Sequence, residues 1–115
     1  MRITAGIDLV EVEEVSEMLA AHGERYLRRV FTSAEQAAAA GRLDRLAATL
    51  AAKEATFKAL AAPADAPTVW HDVEITPLWA ELRGALRRAH PDAVVTVSSS
   101  GGRRHALAVA IVERR

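Results

Sequence analysis

The sequence predicts an α+β fold in which an antiparallel sheet packs against a long central helix and several shorter ones. Three observations predict it. Residues 2–10 alternate with a period of two, as a strand does. Residues 43–61 contain neither Gly nor Pro and are rich in Ala and Leu, which favours one long helix. Two further alternating runs, 94–98 and 105–112, are joined through Gly101-Gly102, a hairpin signal. Helices therefore lie between a first strand and a β-rich end, unlike the alternating order of a doubly wound parallel sheet.

Composition narrows the function classes. The 115 residues suit one domain spanning 1–115. Half of them are apolar but only 4% are aromatic, so the core must be built mainly from Ala, Val, Leu and Ile. Fifteen basic and fifteen acidic residues cancel, and no basic stripe with interleaved aromatics marks a nucleic-acid partner. The absence of cysteine excludes disulfides, thiolate metal sites and cysteine nucleophiles. No apolar run reaches the ~18 residues of a membrane helix and no signal-peptide pattern opens the chain, so a cytoplasmic location is expected.

In order along the chain, Ile3, Ala5, Ile7 and Leu9 occupy one face of the first strand, and Thr4, Gly6, Asp8 and Val10 the other. Asp8 thus lies near the strand's C-terminal end, where it suits a helix cap, a solvent-facing position or a site. Residues 11–21 read as a short helix with Val12, Val15 and Leu19 inward and Glu11, Glu13, Glu14 and Glu17 outward. His22-Gly23 stops it, 24–30 form another helical segment, and Thr32-Ser33-Ala34-Glu35 is a capping box opening a helix that runs through Ala40. The long helix follows, and Ala62-Pro63-Ala64-Asp65-Ala66-Pro67 is a loop. Residues 70–76 alternate as a strand. Leu78, Leu82, Ala85, Leu86 and Ala89 fit helical spacing, yet 79–83 before Gly84 also reads as strand. We take strand to Arg83 and helix over 84–90. Trp70 and Trp79 are expected to pack the sheet or a subunit interface.

The central helix carries the chemistry. Leu43, Leu46, Leu50, Phe57 and Leu60 form an apolar stripe with a gap of seven, and Glu54 falls in that gap, four residues after Leu50. A carboxylate set among apolar neighbours needs a partner. Lys58, four residues on and on the same face, supplies one as a simple ion pair. Alternatively, Glu54 holds a cation and Lys58 handles a proton or a phosphate.

Four segments, in order and over nearly the whole chain, resemble the holo-acyl-carrier-protein synthase family of small 4′-phosphopantetheinyl transferases. Gly6-Ile7-Asp8-Leu9-Val10-Glu11 is similar to the family's opening strand. Arg25-Tyr26-Leu27-Arg28-Arg29-Val30-Phe31-Thr32-Ser33-Ala34-Glu35 resembles its second signature, Arg-Phe-x-x-Arg-Val-Phe-Thr-x-x-Glu. Ala51-Ala52-Lys53-Glu54-Ala55-Thr56-Phe57-Lys58-Ala59 reproduces the helix motif Ala-Ala-Lys-Glu-Ala-x-x-Lys-Ala, and Val97-Ser98-Ser99-Ser100 is similar to its penultimate strand.

The resemblance implies an activity: transfer of phosphopantetheine from coenzyme A to a serine of an acyl carrier protein, with magnesium. It implies Asp8 and Glu54 as the Mg²⁺ ligands, a composition that suits an ion usually held by one or two carboxylates plus phosphate oxygens and waters. Lys58 would neutralise phosphate charge or move the proton of the attacking serine. Lys53, Ser98, Ser100 and Arg103 are candidate coenzyme A contacts, and Arg25, Arg28 and Arg29 candidate contacts for the carrier. A homotrimer with sites completed by a neighbouring subunit is also implied.

The chain departs from the pattern in places. Glu14 stands where the family commonly has a basic residue. Ala48-Thr49-Leu50 replaces Gly-Arg-Phe, Gly101 replaces the histidine of Ser-x-Ser-His, the hairpin before Leu78 is shortened to Thr76-Pro77, and Ala61-Ala62-Pro63 replaces a glycine after the helix. Two other readings follow from these changes: a non-catalytic relative that docks a carrier protein or synthase, and a magnesium-dependent hydrolase of pyrophosphate bonds. Arg103 and Arg104 are the residues that could restore the charge lost at Thr49.

Overall fold

The computed structural model describes residues 1–61 and 69–115. The expected loop over 62–67 lies outside the described residues. Strand β1 (Arg2–Glu11) leads without a break into α1 (Val12–His22), α2 (Glu24–Val30), α3 (Ser33–Ala39) and the long α4 (Leu43–Ala59). Then come β2 (Val73–Ile75), β3 (Trp79–Leu82), α5 (Gly84–Ala89), β4 (Val94–Gly101) and β5 (His105–Arg114). The strands form one antiparallel sheet in the order β1-β5-β4-β3-β2, the α+β fold expected.

The alternation of β1 is real, but its aliphatic face is the exposed one. Gly6, Asp8 and Val10 point under α4 and are buried, while Ile3, Ile7 and Leu9 stand on the outer face of the sheet. The reason is steric. A Cβ added to Gly6 would collide with the Ala55 carbonyl oxygen and lie 2.8 Å from the Ala59 nitrogen. Only the smallest residues admit so close a helix, and the layer is built from them: Ala51, Ala55 and Ala59 on α4 against Ala106, Ala108 and Ala110 on β5. The aromatic-poor composition follows from this packing.

Two helix ends are capped by side chains. Thr32 Oγ1 accepts from the Glu35 amide at 3.2 Å, and Glu35 Oε1 accepts from the Thr32 amide at 2.8 Å, completing the predicted capping box. Thr4 Oγ1 donates to the Ala59 carbonyl at 2.7 Å, covering one orphan acceptor at the end of α4. Helix α4 ends at Ala59 rather than 61. Leu60 caps it, and Ala61 adopts φ +54°, the left-handed conformation a glycine normally supplies.

Three boundaries shift. The run at 70–76 begins as a 3₁₀ turn, Trp70–Asp72, because the Asp72 amide bonds back to the Val69 carbonyl, and only Val73–Ile75 pairs as strand. The ambiguous 79–83 resolves to strand, with Ala80 and Leu82 inward, then a helix opening at Gly84. Strand β4 extends from the expected Ser98 to Gly101 and β5 from the expected Val112 to Arg114, since β4 pairs with β5 to Gly101 and β5 pairs with β1 along its whole length. Trp70 packs edge-on against Phe57, and Trp79 stands half-exposed on the outer sheet face. Among the described residues no helix is long and apolar enough to cross a membrane.

Substitution of Gly6 by alanine is expected to cost about 3 kcal/mol in urea denaturation, because backbone rather than a flexible side chain must yield. Gly102→Ala, where the nearest atom is 3.5 Å away, should stay within about 0.5 kcal/mol. Equal costs at the two positions would remove the close-approach argument.

Candidate active site

Two residues beyond Gly6 on the same face of β1, Asp8 is carried beneath α4, where its carboxylate is nine-tenths buried. Helical periodicity brings Glu54 and Lys58 together over it. Lys58 Nζ donates to Asp8 Oδ1 at 2.5 Å and to the Ile7 carbonyl at 3.3 Å. The expected ion pair within α4 therefore does not form, since Lys58 reaches across to the strand instead. That leaves Asp8 Oδ2 buried with no hydrogen-bond partner.

Glu54 lies beside Asp8. Its carboxyl is pushed up from 4.5 to about 8, first by burial, then by the neighbouring Asp8 carboxylate and the charge of Glu14, with Lys58 opposing. Lys58 is pushed up, chiefly by its hydrogen bond to Asp8, and so stays cationic. The Tyr26 hydroxyl is raised to about 12, first by burial and then by the charges of Glu14 and Glu54. The reading from sequence placed neither Tyr26 nor Glu14 near Glu54; Tyr26 sits inside the Arg25-to-Glu35 signature, and that was its available signal.

An orphaned buried carboxylate oxygen beside a second carboxyl is a donor set suited to a cation. No group of three or more His, Asp or Glu side chains gathers at ligand distance among the described residues. Two carboxylates without a larger cage fit Mg²⁺, which keeps waters and takes phosphate oxygens. The residues present thus fit the expected ion.

The other candidates fall elsewhere. Lys53 is wholly buried: its ammonium donates to Glu35 Oε1 at 2.6 Å and to the Val30 carbonyl at 2.8 Å, with the Phe31 ring centroid 5.9 Å away. Burial pushes its pKa down, and Glu35 counters that. The expected phosphate contact is thereby corrected, because neither the site nor solvent is open to this group. Ser98 and Ser100 are in register with Val109 and Leu107, hence on the outer sheet face with Ile7 and Leu9, not on the face of Asp8. Within one chain the fold does not bring them to Glu54.

Arg103 and Arg104 are exposed at the tip of the β4-β5 hairpin, lining a shallow depression with Glu11, Glu13 and His105. Gly101 lies against the first turn of α4, where an added Cβ would sit 2.6 Å from the Asp44 carbonyl oxygen. Arg25, Arg28 and Arg29 are all exposed on α2, with Arg28 bridged to Glu24 at 3.3 Å.

Comparisons with known proteins cover nearly the whole chain. The 4′-phosphopantetheinyl transferase superfamily matches residues 4–110. A holo-[acyl-carrier-protein] synthase of Halalkalibacterium halodurans is 35% identical, with 99% of this chain and 98% of that protein covered. One from Thermus thermophilus is 39% identical, covering 100% and 96%. Among solved structures, the acyl carrier protein synthase of Mycobacterium tuberculosis superposes with a TM-score of 0.79 at 30% identity, covering 97% of each chain. The coenzyme A complex of the Chronobacterium ammoniagenes synthase gives 0.84 at 25% identity, covering 100% and 99%. A single family accounts for the strand that carries Asp8, the helix that carries Glu54 and Lys58, and the sheet between them: this chain belongs to the holo-acyl-carrier-protein synthases of the 4′-phosphopantetheinyl transferase superfamily.

Proposed function

We propose that this chain transfers 4′-phosphopantetheine from coenzyme A to a serine hydroxyl of an acyl carrier protein, with Mg²⁺ held by Asp8 and Glu54. The observation that carries this reading is the meeting of the two carboxylates, one with an orphaned buried oxygen, beside the Lys58 cation. A bound Mg²⁺ would supply charge neutralisation to the diphosphate of the donor. The reaction forms a bond from the serine oxygen to phosphorus, breaks the phosphorus–oxygen bond to the nucleotide, and releases the hydroxyl proton. Asp8 keeps Lys58 charged, which supports a phosphate-neutralising role for it over a proton-moving one. Arg25, Arg28 and Arg29 offer exposed cations for an acidic carrier. A purely docking role gives no reason to keep Asp8 and Glu54 pressed together at electrostatic cost.

The trimer is supported by the outer sheet face. Ile3, Ile7, Leu9, Val94, Leu107 and Ile111 are exposed there together, a patch of the kind that marks association. Ser98 and Ser100 lie in the same face, so copies packed through it would bring these hydroxyls to a neighbour rather than to their own chain. Wild-type protein should sediment at about three times the 12.4 kDa chain mass, and Leu107→Glu, in the middle of the patch, at one. A monomeric wild type would refute the trimer.

The metal site makes a pH prediction. Without metal, native Glu54 holds its proton up to about 8, whereas the unfolded group releases it near 4.5. The native state binds more protons in that window, so stability should fall as pH rises through it. Added Mg²⁺ should restore stability at the alkaline end, and Glu54→Gln should flatten the profile. A Mg²⁺ effect of equal size in Glu54→Gln would exclude Glu54 as a ligand.

The activity itself is tested with coenzyme A, Mg²⁺ and candidate apo-carrier proteins, reading the carrier's mass. Asp8→Asn and Glu54→Gln should each slow transfer by about 100-fold or more. Calorimetry needs no carrier: coenzyme A binding should require Mg²⁺ and vanish in Glu54→Gln. A folded wild type that binds no coenzyme A at millimolar concentration would overturn the transferase reading.

A further inference from the structure

The pair of Lys53 and Glu35 is the most completely buried ionic contact among the described residues, with side chains 0% and 1% exposed. Both Glu35 oxygens are used. Oε1 accepts from Lys53 and from the Thr32 amide, and Oε2 accepts from the Ile75 amide at 2.7 Å. The Lys53 ammonium is held from three directions: Glu35, the Val30 carbonyl at the end of α2, and the Phe31 ring. One side chain of α4 is thus fixed to α2, α3 and β2 at once.

Stability alone does not explain an ion pair here. Replacing such a pair by packed apolar side chains of similar volume is often neutral or stabilising. What charged, directional contacts add is a single setting where an apolar contact could slide. Lys53 immediately precedes Glu54, about 100° around the helix. Rolling α4 so that Glu54 moved off Asp8 would pull Lys53 out of its socket. Lys58 does not hold Glu54 against such a roll, since its ammonium bonds Asp8 and the Ile7 carbonyl.

We propose that the buried pair of Lys53 and Glu35 is a positioning device that fixes the rotation of α4 and so holds Glu54 beside Asp8 in a cation-ready geometry. The proposal rests on the transferase reading of that site. Neither residue touches substrate; both act through Glu54. On the opposite side of α4, Gly6 and Thr4 set how closely the helix lies on the sheet. Lys53 sets which way it faces.

The test is the double variant Lys53→Met with Glu35→Gln, which leaves no unpaired buried charge and keeps an acceptor for the Thr32 cap. Cooperative unfolding is checked first. If that transition is lost, Lys53→Gln alone carries the same measurements, because its amide keeps a donor for Glu35 and the Thr32 and Ile75 amides still hold that carboxylate. In the folded variant, Mg²⁺ affinity at saturating coenzyme A should weaken by about 10–100-fold, the usual effect of losing a ligand's supporting contact. The kcat should fall by a similar factor, with KM for the carrier protein changed by no more than about twofold. A merely structural pair would lower the unfolding midpoint and leave Mg²⁺ affinity unchanged. A folded variant with wild-type Mg²⁺ affinity and kcat overturns the proposal and leaves the transferase reading intact. A wild type that shows no Mg²⁺-dependent coenzyme A binding overturns both.

Discussion

The backbone of α4 lies so close to β1 that position 6 must be glycine, and most of the structure depends on that approach. It requires alanines on the facing sides of the helix and of β5, which is why half the residues are apolar but few are large. It also determines what happens two residues later. Asp8 points the same way as Gly6, so the depth that excludes a Cβ at one position buries a carboxylate at the next. A helix farther from the sheet would leave Asp8 in water, where neither Lys58 nor Glu54 would be drawn to it.

Burial turns that geometry into chemistry. An isolated carboxylate beneath a helix is expensive, and Lys58 offsets the cost for one oxygen only. Placing Glu54 beside it buries a second carboxyl, which holds its proton up to about 8 in consequence, so the fold must hold the two together with contacts elsewhere. The fixed points are remote from the carboxylates: the Ala59 carbonyl held by Thr4, the backbone contact at Gly6, and the ammonium of Lys53. The negative charge of Glu14 on α1 adds to the upward push on both Glu54 and Tyr26.

Much of this was legible in the sequence because it is local. Period-two runs, the Gly-Gly turn and the Thr32-to-Glu35 box each announce an element within a few residues, and Asp8, Glu54 and Lys58 were identified by motif. What sequence could not give was direction. The alternation of β1 names two faces without saying which one the helix covers, and the aliphatic face turned out to be the outer one because the helix needed glycine beneath it. Spacing on α4 offered Glu54 as Lys58's partner. A carboxylate fifty residues away took that place, and no pattern within α4 encodes it. Lys53 sits next to Glu54 in the chain but belongs to a different neighbourhood, and its partner Glu35 was visible only as half of a capping box. At 70–73 a local backbone turn at Val69 overrode the alternation.

The departures from the family pattern sort by the same physics. At position 61 the left-handed backbone conformation is kept although alanine has replaced glycine, so the chain's path out of α4 was retained at a local cost. At position 101 the family's histidine has given way to the one residue that fits against the Asp44 carbonyl, so helix and hairpin meet more closely than a side chain would permit. Glu14, where the family pattern has a basic residue, stands exposed on α1, while Asp8 and Glu54 lie together beneath and on α4. The proposed transfer needs both of those carboxyls in one place, and a docking role needs neither.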